Sequence, residues 1–169
     1  LTLHFGAIKR VIYLAEEMSV LYPGEQPFAP DVLAVLGVPQ PEDDERMAWV
    51  VVEENKGLDL VIEVLHRGDR DKDLVTNVER YARLGIPEYF VFDRAREKIH
   101  GFRLPAEGPR KYRRIVPQFG RHSSEVLGLD ITVVSGKFKF FYGMAELIGS
   151  ADLIGRLEGM VESLEAKAD

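Results

Sequence analysis

The sequence contains no cysteine, which removes disulfide frameworks, thiolate zinc sites and a cysteine nucleophile. Such a composition suits the cytoplasm, the expected location. No apolar run approaches the roughly 20 residues that a membrane helix needs, so no membrane partner is expected. The start shows no basic segment followed by an apolar stretch and a cleavage site. It opens on Leu1 rather than Met, and residues upstream of it are expected. No glycine-rich phosphate loop occurs, and Ser123 and Ser124 lie outside any nucleophile-elbow context, so nucleotide hydrolysis and acyl transfer drop out. His4, His100 and His122 have no second ligand at i+3 or i+4 and read as surface or packing residues. Internal repeats and low-complexity tracts are absent.

What is present suffices for one folded unit. A chain of 169 residues with 46% hydrophobic content can bury roughly two thirds of the surface its unfolded form exposes. The 22 basic against 28 acidic residues give a net charge of −6, which opposes non-specific attraction to phosphate. That sum hides clusters: Arg110, Lys111, Arg113 and Arg114 lie close together, and Lys137 and Lys139 form a second group. Net charge therefore does not exclude a nucleic-acid partner.

Two apolar runs are interrupted by acids. Phe28 to Leu36, FAPDVLAVL, and Leu58 to Leu65, LDLVIEVL, resemble strands buried on both faces, yet they contain Asp31, and Asp59 with Glu63. Alternate residues of a strand share a face, so Asp59 and Glu63 point the same way about 13 Å apart, too far to chelate one ion. Glu63 needs a partner from another strand, and Asp31 is the candidate if the two strands are neighbours. A buried carboxylate costs several kcal/mol unless it is paired, hydrogen-bonded or bound to metal. Two readings stay open. A hard cation such as magnesium would take two carboxylates, a backbone carbonyl and waters, and would serve to generate a hydroxide nucleophile and neutralise phosphate charge. Alternatively, both acids sit at strand ends and pair with surface arginines.

Elsewhere, Val11 to Ala15, Met18 to Tyr22 and Trp49 to Val52 read as strands, with Pro39 to Arg46 a loop and Leu1 to Ile8 the end of a helix. Leu74, Val78, Tyr81 and Ala82 give Asp71 to Leu84 one apolar helical face, ended by Gly85 and Pro87. Glu88 to Asp93, Ile99 to Leu104, Tyr112 to Val116, Ile131 to Val134 and Phe138 to Tyr142 are further strands. Asp69, Asp71 and Asp73 imitate a calcium loop, but Leu74 stands where glycine is required, so they read as an acidic helix start. Glu53, Glu54 and Lys56 read as a solvated strand end. From Met144 to Lys167 a helix is expected, with Leu147, Ser150, Ile154, Leu157, Val161 and Leu164 near heptad spacing. That stripe suits a dimer seam or packing within the chain.

The runs FAPDVLAVLGVP, DLVIEVL and DLVTNVERYARLGIPEYFVFD, in that order, resemble the Uma-two family of restriction-type endonucleases, in the PD-(D/E)XK nuclease superfamily. The resemblance spans roughly Val11 to Leu129. It implies an α/β fold, a restriction-endonuclease-like mixed β-sheet flanked by helices, over 1–142, followed by a C-terminal helix at 143–169 that could act in dimerisation. It also implies a DNA endonuclease dependent on Mg2+ (or Mn2+) and working as a homodimer. Asp31, after Pro30, and Glu63 would hold the metal, with the backbone carbonyl of Leu65 as a further ligand. Leu65 stands where the superfamily usually has a lysine. The family moves that lysine onto the helix, four residues before the tyrosine, where this chain has Asn77. Asparagine donates hydrogen bonds but carries no charge, so impaired catalysis is expected; Lys72, one turn earlier, could substitute. Leu58 and His66 also depart from the family's usual proline and serine. The alternatives are a catalytically silent nucleic-acid-binding or protein-interaction module, or an assembly protein worked by its C-terminal helix.

Overall fold

In the computed structural model, which describes residues 11–41, 46–65, 70–143 and 150–168, the interrupted apolar runs lie side by side in one sheet. The strands are β1 (Ile12–Glu16), β2 (Ser19–Leu21), β3 (Val32–Leu36), β4 (Ala48–Val50), β5 (Leu60–Leu65), β6 (Glu88–Asp93), β7 (Lys98–Arg103), β8 (Arg113–Arg114), β9 (His122–Ser124), β10 (Leu129–Val134) and β11 (Lys137–Tyr142). The helices are α1 (Val51–Glu54), α2 (Asn77–Arg83) and α3 (Ser150–Ala168), and a π-helical turn, Lys72–Thr76, leads into α2. Six strands form the main sheet in the order β1-β3-β5-β6-β7-β8. Only β5 and β6 run parallel within it. A parallel pair needs a crossover, and here the crossover carries the π turn and α2.

Strand alternation sorts the side chains into two cores. On one face Leu60, Ile62, Val64, Phe90 and Phe92 meet Ile131, Phe138 and Phe140 of the β11-β10-β9 sheet, together with α3. On the other, Val61, Leu65, Tyr89 and Val91 meet Trp49, Tyr81, Ala82 and Ile86. Every residue of β5 and β6 is buried, as runs covered on both faces should be. The result is the expected mixed α/β architecture, a mixed sheet flanked by helices with a helix at the C-terminal end.

The α3 stripe is taken up inside the chain. Leu157, Val161 and Leu164 are almost wholly buried in the same core as Phe138 and Phe140, and Ile154 packs at its margin. Of the two readings left open for this stripe, packing within the chain accounts for Leu157, Val161 and Leu164: the sheet face beneath them is apolar and needs this cover. Leu147 and the rest of 144–149 lie outside the described residues, as do Leu1 to Ile8, positions 42–45, His66 and Asp69.

Other departures are local. The expected strand Trp49 to Val52 ends at Val50, where the chain turns into α1 and stops on Asn55 in the left-handed region, φ 56°. Tyr112 to Val116 contracts to the two residues of β8, and β9 is an addition that pairs with β10. The helix end follows the glycine signal closely. Gly85, at φ +80°, donates to the Ala82 carbonyl at 3.0 Å, and Ile86 donates to the Tyr81 carbonyl at 3.1 Å, the paired bonds of a Schellman end. This fixes the turn that holds Tyr81 against the sheet. No described helix is long and apolar enough to cross a membrane.

Candidate active site

The register of β3 on β5 decides where the two acids meet. Val32 pairs with Ile62 in antiparallel fashion, which brings the preceding residue, Asp31, opposite Glu63. The Asp31 amide donates to Glu63 Oε2 at 3.3 Å, and the Val64 amide donates to Asp31 Oδ2 at 2.7 Å. The two carboxyls are also within side-chain hydrogen-bond reach of each other. Asp59 takes no part: its Oδ2 accepts from the Leu36 amide at 2.7 Å, at the other end of the strand.

Glu63 is 7% exposed, while Asp31 is half-buried. The Tyr81 hydroxyl, presented by α2, donates to Glu63 Oε1 at 3.2 Å. Burial lifts the Glu63 carboxyl well above the usual carboxylate range, and the charges of Asp31 and Asp73 push it further. Burial and the Glu63 charge likewise raise the Tyr81 phenol, so it stays a donor. Among the described residues, no ion pair involves Asp31 or Glu63. The arginine-paired reading of these acids therefore has no support in the structure. Two carboxyls in contact, one of them buried and neither ion-paired, fit a hard cation: ionised together they repel, and a cation between them removes the conflict.

Among the described residues, no group of three His, Cys, Asp or Glu side chains could hold a metal. An ion at the pair would therefore complete its shell with backbone and water oxygens. Leu65 ends β5 two residues after Glu63, so it shares that face.

Behind the pair lies a layer that sequence reasoning missed. Asp73, read above as part of an acidic helix start, is 6% exposed. Its Oδ1 accepts from Asn77 Nδ2 at 3.2 Å, and its backbone carbonyl accepts from the Tyr89 hydroxyl at 2.8 Å. Asn77, 4% exposed, also reaches the Tyr89 hydroxyl. Asn77 thus faces the sheet, with its amide engaged by Asp73 and Tyr89. The available signal was spacing: Asp73, Asn77 and Tyr81 are four residues apart and share one helical face. The π turn spanning Lys72–Thr76 starts that face, and such turns recur at functional sites. Lys72 is exposed on the outer side of the turn, and Glu53 is exposed on α1.

A six-strand mixed sheet flanked by helices thus brings the paired acids together where two neighbouring strands meet. The Uma2 family, described as "Putative restriction endonuclease", matches residues 1–134, and the chain belongs to this family. A crystal structure of "a putative nuclease belonging to DUF820" from Anabaena variabilis ATCC 29413 is similar at 16% identity and a TM-score of 0.45, over 64% of this chain. The chain covers 60% of the length of that protein. No curated protein matches the sequence.

Proposed function

We propose that this protein is a divalent-metal-dependent DNA endonuclease that hydrolyses phosphodiester bonds in the cytoplasm. The observation that carries this reading is the contact between a buried Glu63 and Asp31, with no ion pair to either among the described residues. The Asp31 and Glu63 carboxylates and the Leu65 carbonyl would hold Mg2+ or Mn2+. When bound, such an ion lowers the pKa of water and neutralises charge on the phosphate. The chain's own groups prepare the pair. Tyr81 fixes Glu63 Oε1, and the Val64 amide fixes Asp31 Oδ2, so both carboxylates are oriented before an ion arrives. Asn77 stands where a cation would stabilise the phosphorane charge, but its amide is taken up by Asp73 and Tyr89, and activity is correspondingly weak. Residues 1–142 carry the nuclease-like part, with α3 as its cover. The homodimer expected of restriction-type enzymes would use another surface, because the α3 stripe is buried within the chain.

The second reading, a catalytically silent nucleic-acid-binding or protein-interaction module, draws support from one observation. The Asn77 amide is already engaged by Asp73 and Tyr89, which leaves the usual cationic role unfilled. A plasmid-nicking assay with Mg2+ and with Mn2+ separates the two, using Asp31→Ala as control. Nicking by the wild type that the control lacks supports the endonuclease; an inert wild type with every divalent ion makes the silent module the better account.

A further inference from the structure

Between β8 and β9 the chain makes a two-residue hairpin turn that the proposed reaction leaves unused. The Gln118 amide donates to the Arg121 carbonyl at 2.9 Å, and the Arg121 amide donates to the Gln118 carbonyl at 3.0 Å. The two residues between them, Phe119 and Gly120, both have positive φ, 53° and 75°. Positive φ at both central residues is the pattern of a type I′ turn, which asparagine followed by glycine fills most readily. Glycine is in its usual place here. Phenylalanine is not, because a bulky side chain in the left-handed region is strained. The fold gives its ring no packing in return: Phe119 is 104% exposed, and nothing lies within 4 Å of the point where Gly120 would carry a Cβ. The tip is nonetheless held firmly, since the Thr132 hydroxyl also donates to the Gly120 carbonyl at 2.7 Å. An apolar ring set in a strained backbone, held in place and left wholly in water, needs a partner outside the chain.

The surroundings of the ring are basic. β8 pairs Arg114 with Phe102, and the Ile115 amide continues the pairing by donating to the Gly101 carbonyl at 2.8 Å. The chain entering the turn therefore runs along β7 toward Lys98, and Val116, Pro117 and Gly120 border the same cleft as Lys98 and Ile99. Lys98 pairs with Asp93 and Asp93 with Leu65, so the hairpin leaves the sheet at the end where β5 finishes. Three strand spacings, about 14 Å, separate β8 from β5. Lys98 and Arg114 are exposed, and neither makes an ion pair among the described residues. Arg114 lies over the Phe102 ring, on the sheet face that carries Glu63, and strand alternation puts Lys98 on that face too. Arg121, on the other side of the tip, lies over the Phe141 ring and 4.0 Å from Asp130. A second protein is the poorer fit. One phenylalanine buries about 150–250 Å², and with Val116, 78% exposed, it falls far short of the roughly 800 Å² per partner of a stable interface. A polyanion that carries aromatic faces matches both the ring and its cations.

We propose that Phe119 is a stacking platform for an unpaired base of the nucleic-acid strand, with the charges of Arg114 and Lys98 drawing that strand to the turn. Stacking needs only the face of a base, so this contact holds the strand without reading its sequence. The turn presents the ring already placed, which limits the freedom lost on binding. Phe119 is then a positioning residue that holds the strand to one side of the carboxylate pair. The choice of ligand rests on the nuclease reading; the strained, exposed ring does not.

The test uses the full chain in EDTA and a short single-stranded oligodeoxynucleotide carrying a fluorescent purine whose emission is quenched on stacking. Binding should quench the purine. Phe119→Asn puts the favoured asparagine-glycine pair into the turn, so it should raise the Tm while weakening binding at least about fivefold and abolishing the quench. Phe119→Trp should keep both affinity and quench. Lys98→Gln should reduce the slope of log affinity against log salt by about one. A wild type that binds without quenching, or a folded Phe119→Asn protein with affinity and quench unchanged, overturns the proposal. So does a Phe119→Asn protein that melts below the wild type, since the ring would then serve the fold, or one that turns a dimer into a monomer by light scattering, since the ring would then meet a second copy. Quenching by a protein that nicks no plasmid upholds this contact and removes the nuclease reading, whereas nicking by a wild type that never quenches does the reverse.

Discussion

Glu63→Gln should make the metal-free protein more stable while abolishing its activity. At neutral pH the wild type holds an acid in a buried position beside Asp31 and near Asp73, and burial is the largest reason its pKa is raised. Glutamine keeps the shape. Its carbonyl can still accept from the Tyr81 hydroxyl at the position of Oε1, and its amide can donate to the Asp31 carboxylate, turning a repulsion into a hydrogen bond. The loss is the acceptor at Oε2 for the Asp31 amide. Relieving strain of this kind at a functional site is commonly worth about 1–2 kcal/mol, or roughly 2–8 °C in Tm for a chain of this size. The sign with pH follows from the direction of the shift. A folded pKa above the unfolded one stabilises the native state below the unfolded carboxylate pKa, and that contribution is lost as pH rises through the folded value. The variant's advantage should therefore be small at pH 4 and full at alkaline pH. Thermal melts in EDTA across that range, read by circular dichroism, measure it. Added Mg2+ should stabilise the wild type by about 2.7 kcal/mol at a hundredfold excess over Kd, and the variant not at all. A Glu63→Gln protein that melts below the wild type at pH 8 without metal would refute the reasoning, since Glu63 would then be a compensated, stabilising charge.

Asn77→Lys should raise metal-dependent nicking on the order of a hundredfold, equivalent to about 3 kcal/mol of transition-state stabilisation, and lower the Tm because the site is closely filled. If nicking is unchanged while Asp31→Ala abolishes it, the charge comes from elsewhere, with Lys72 the first residue to mutate. Tyr81→Phe should weaken metal affinity about 10- to 100-fold through loss of the bond to Glu63 Oε1, measured by calorimetric titration. Leu157→Ala should cost about 2–5 kcal/mol of stability, read by urea unfolding. A chain ending at Gly143 should lose cooperative unfolding, because the core beneath α3 would be uncovered.

The central strands were legible because β3 and β5 are almost wholly buried, and that burial leaves apolar runs in which Asp31, just before β3, and Glu63, within β5, stand out. Which strands would be neighbours was a conditional statement, since strand pairing leaves no trace in composition; the register of Val32 with Ile62 supplied it. Asp73 was illegible for a different reason. Its burial depends on a π turn, and an acid in a first helical turn ordinarily reads as a favourable match to the helix dipole. β9 escaped notice because His122–Ser124 is short and polar and is held by its pairing with β10. The α3 stripe was read correctly as apolar, but periodicity cannot say whether the covering surface belongs to the same chain or to another.

The far end of α3 is tied to the turn that leads toward Asp31. Lys167 Nζ donates to Glu17 Oε2 at 2.8 Å, and the Glu17 amide donates to the Asp31 carbonyl at 3.1 Å. Arg94, the residue after β6, bonds the Glu165 carbonyl at 3.1 Å, while buried Leu164 pins the same turn to the core. Whatever is joined after α3 therefore begins on the sheet face opposite the Glu63 carboxyl. A pull on a C-terminal fusion would reach the Asp31 backbone through Glu17, without the fusion itself entering the face that carries the pair.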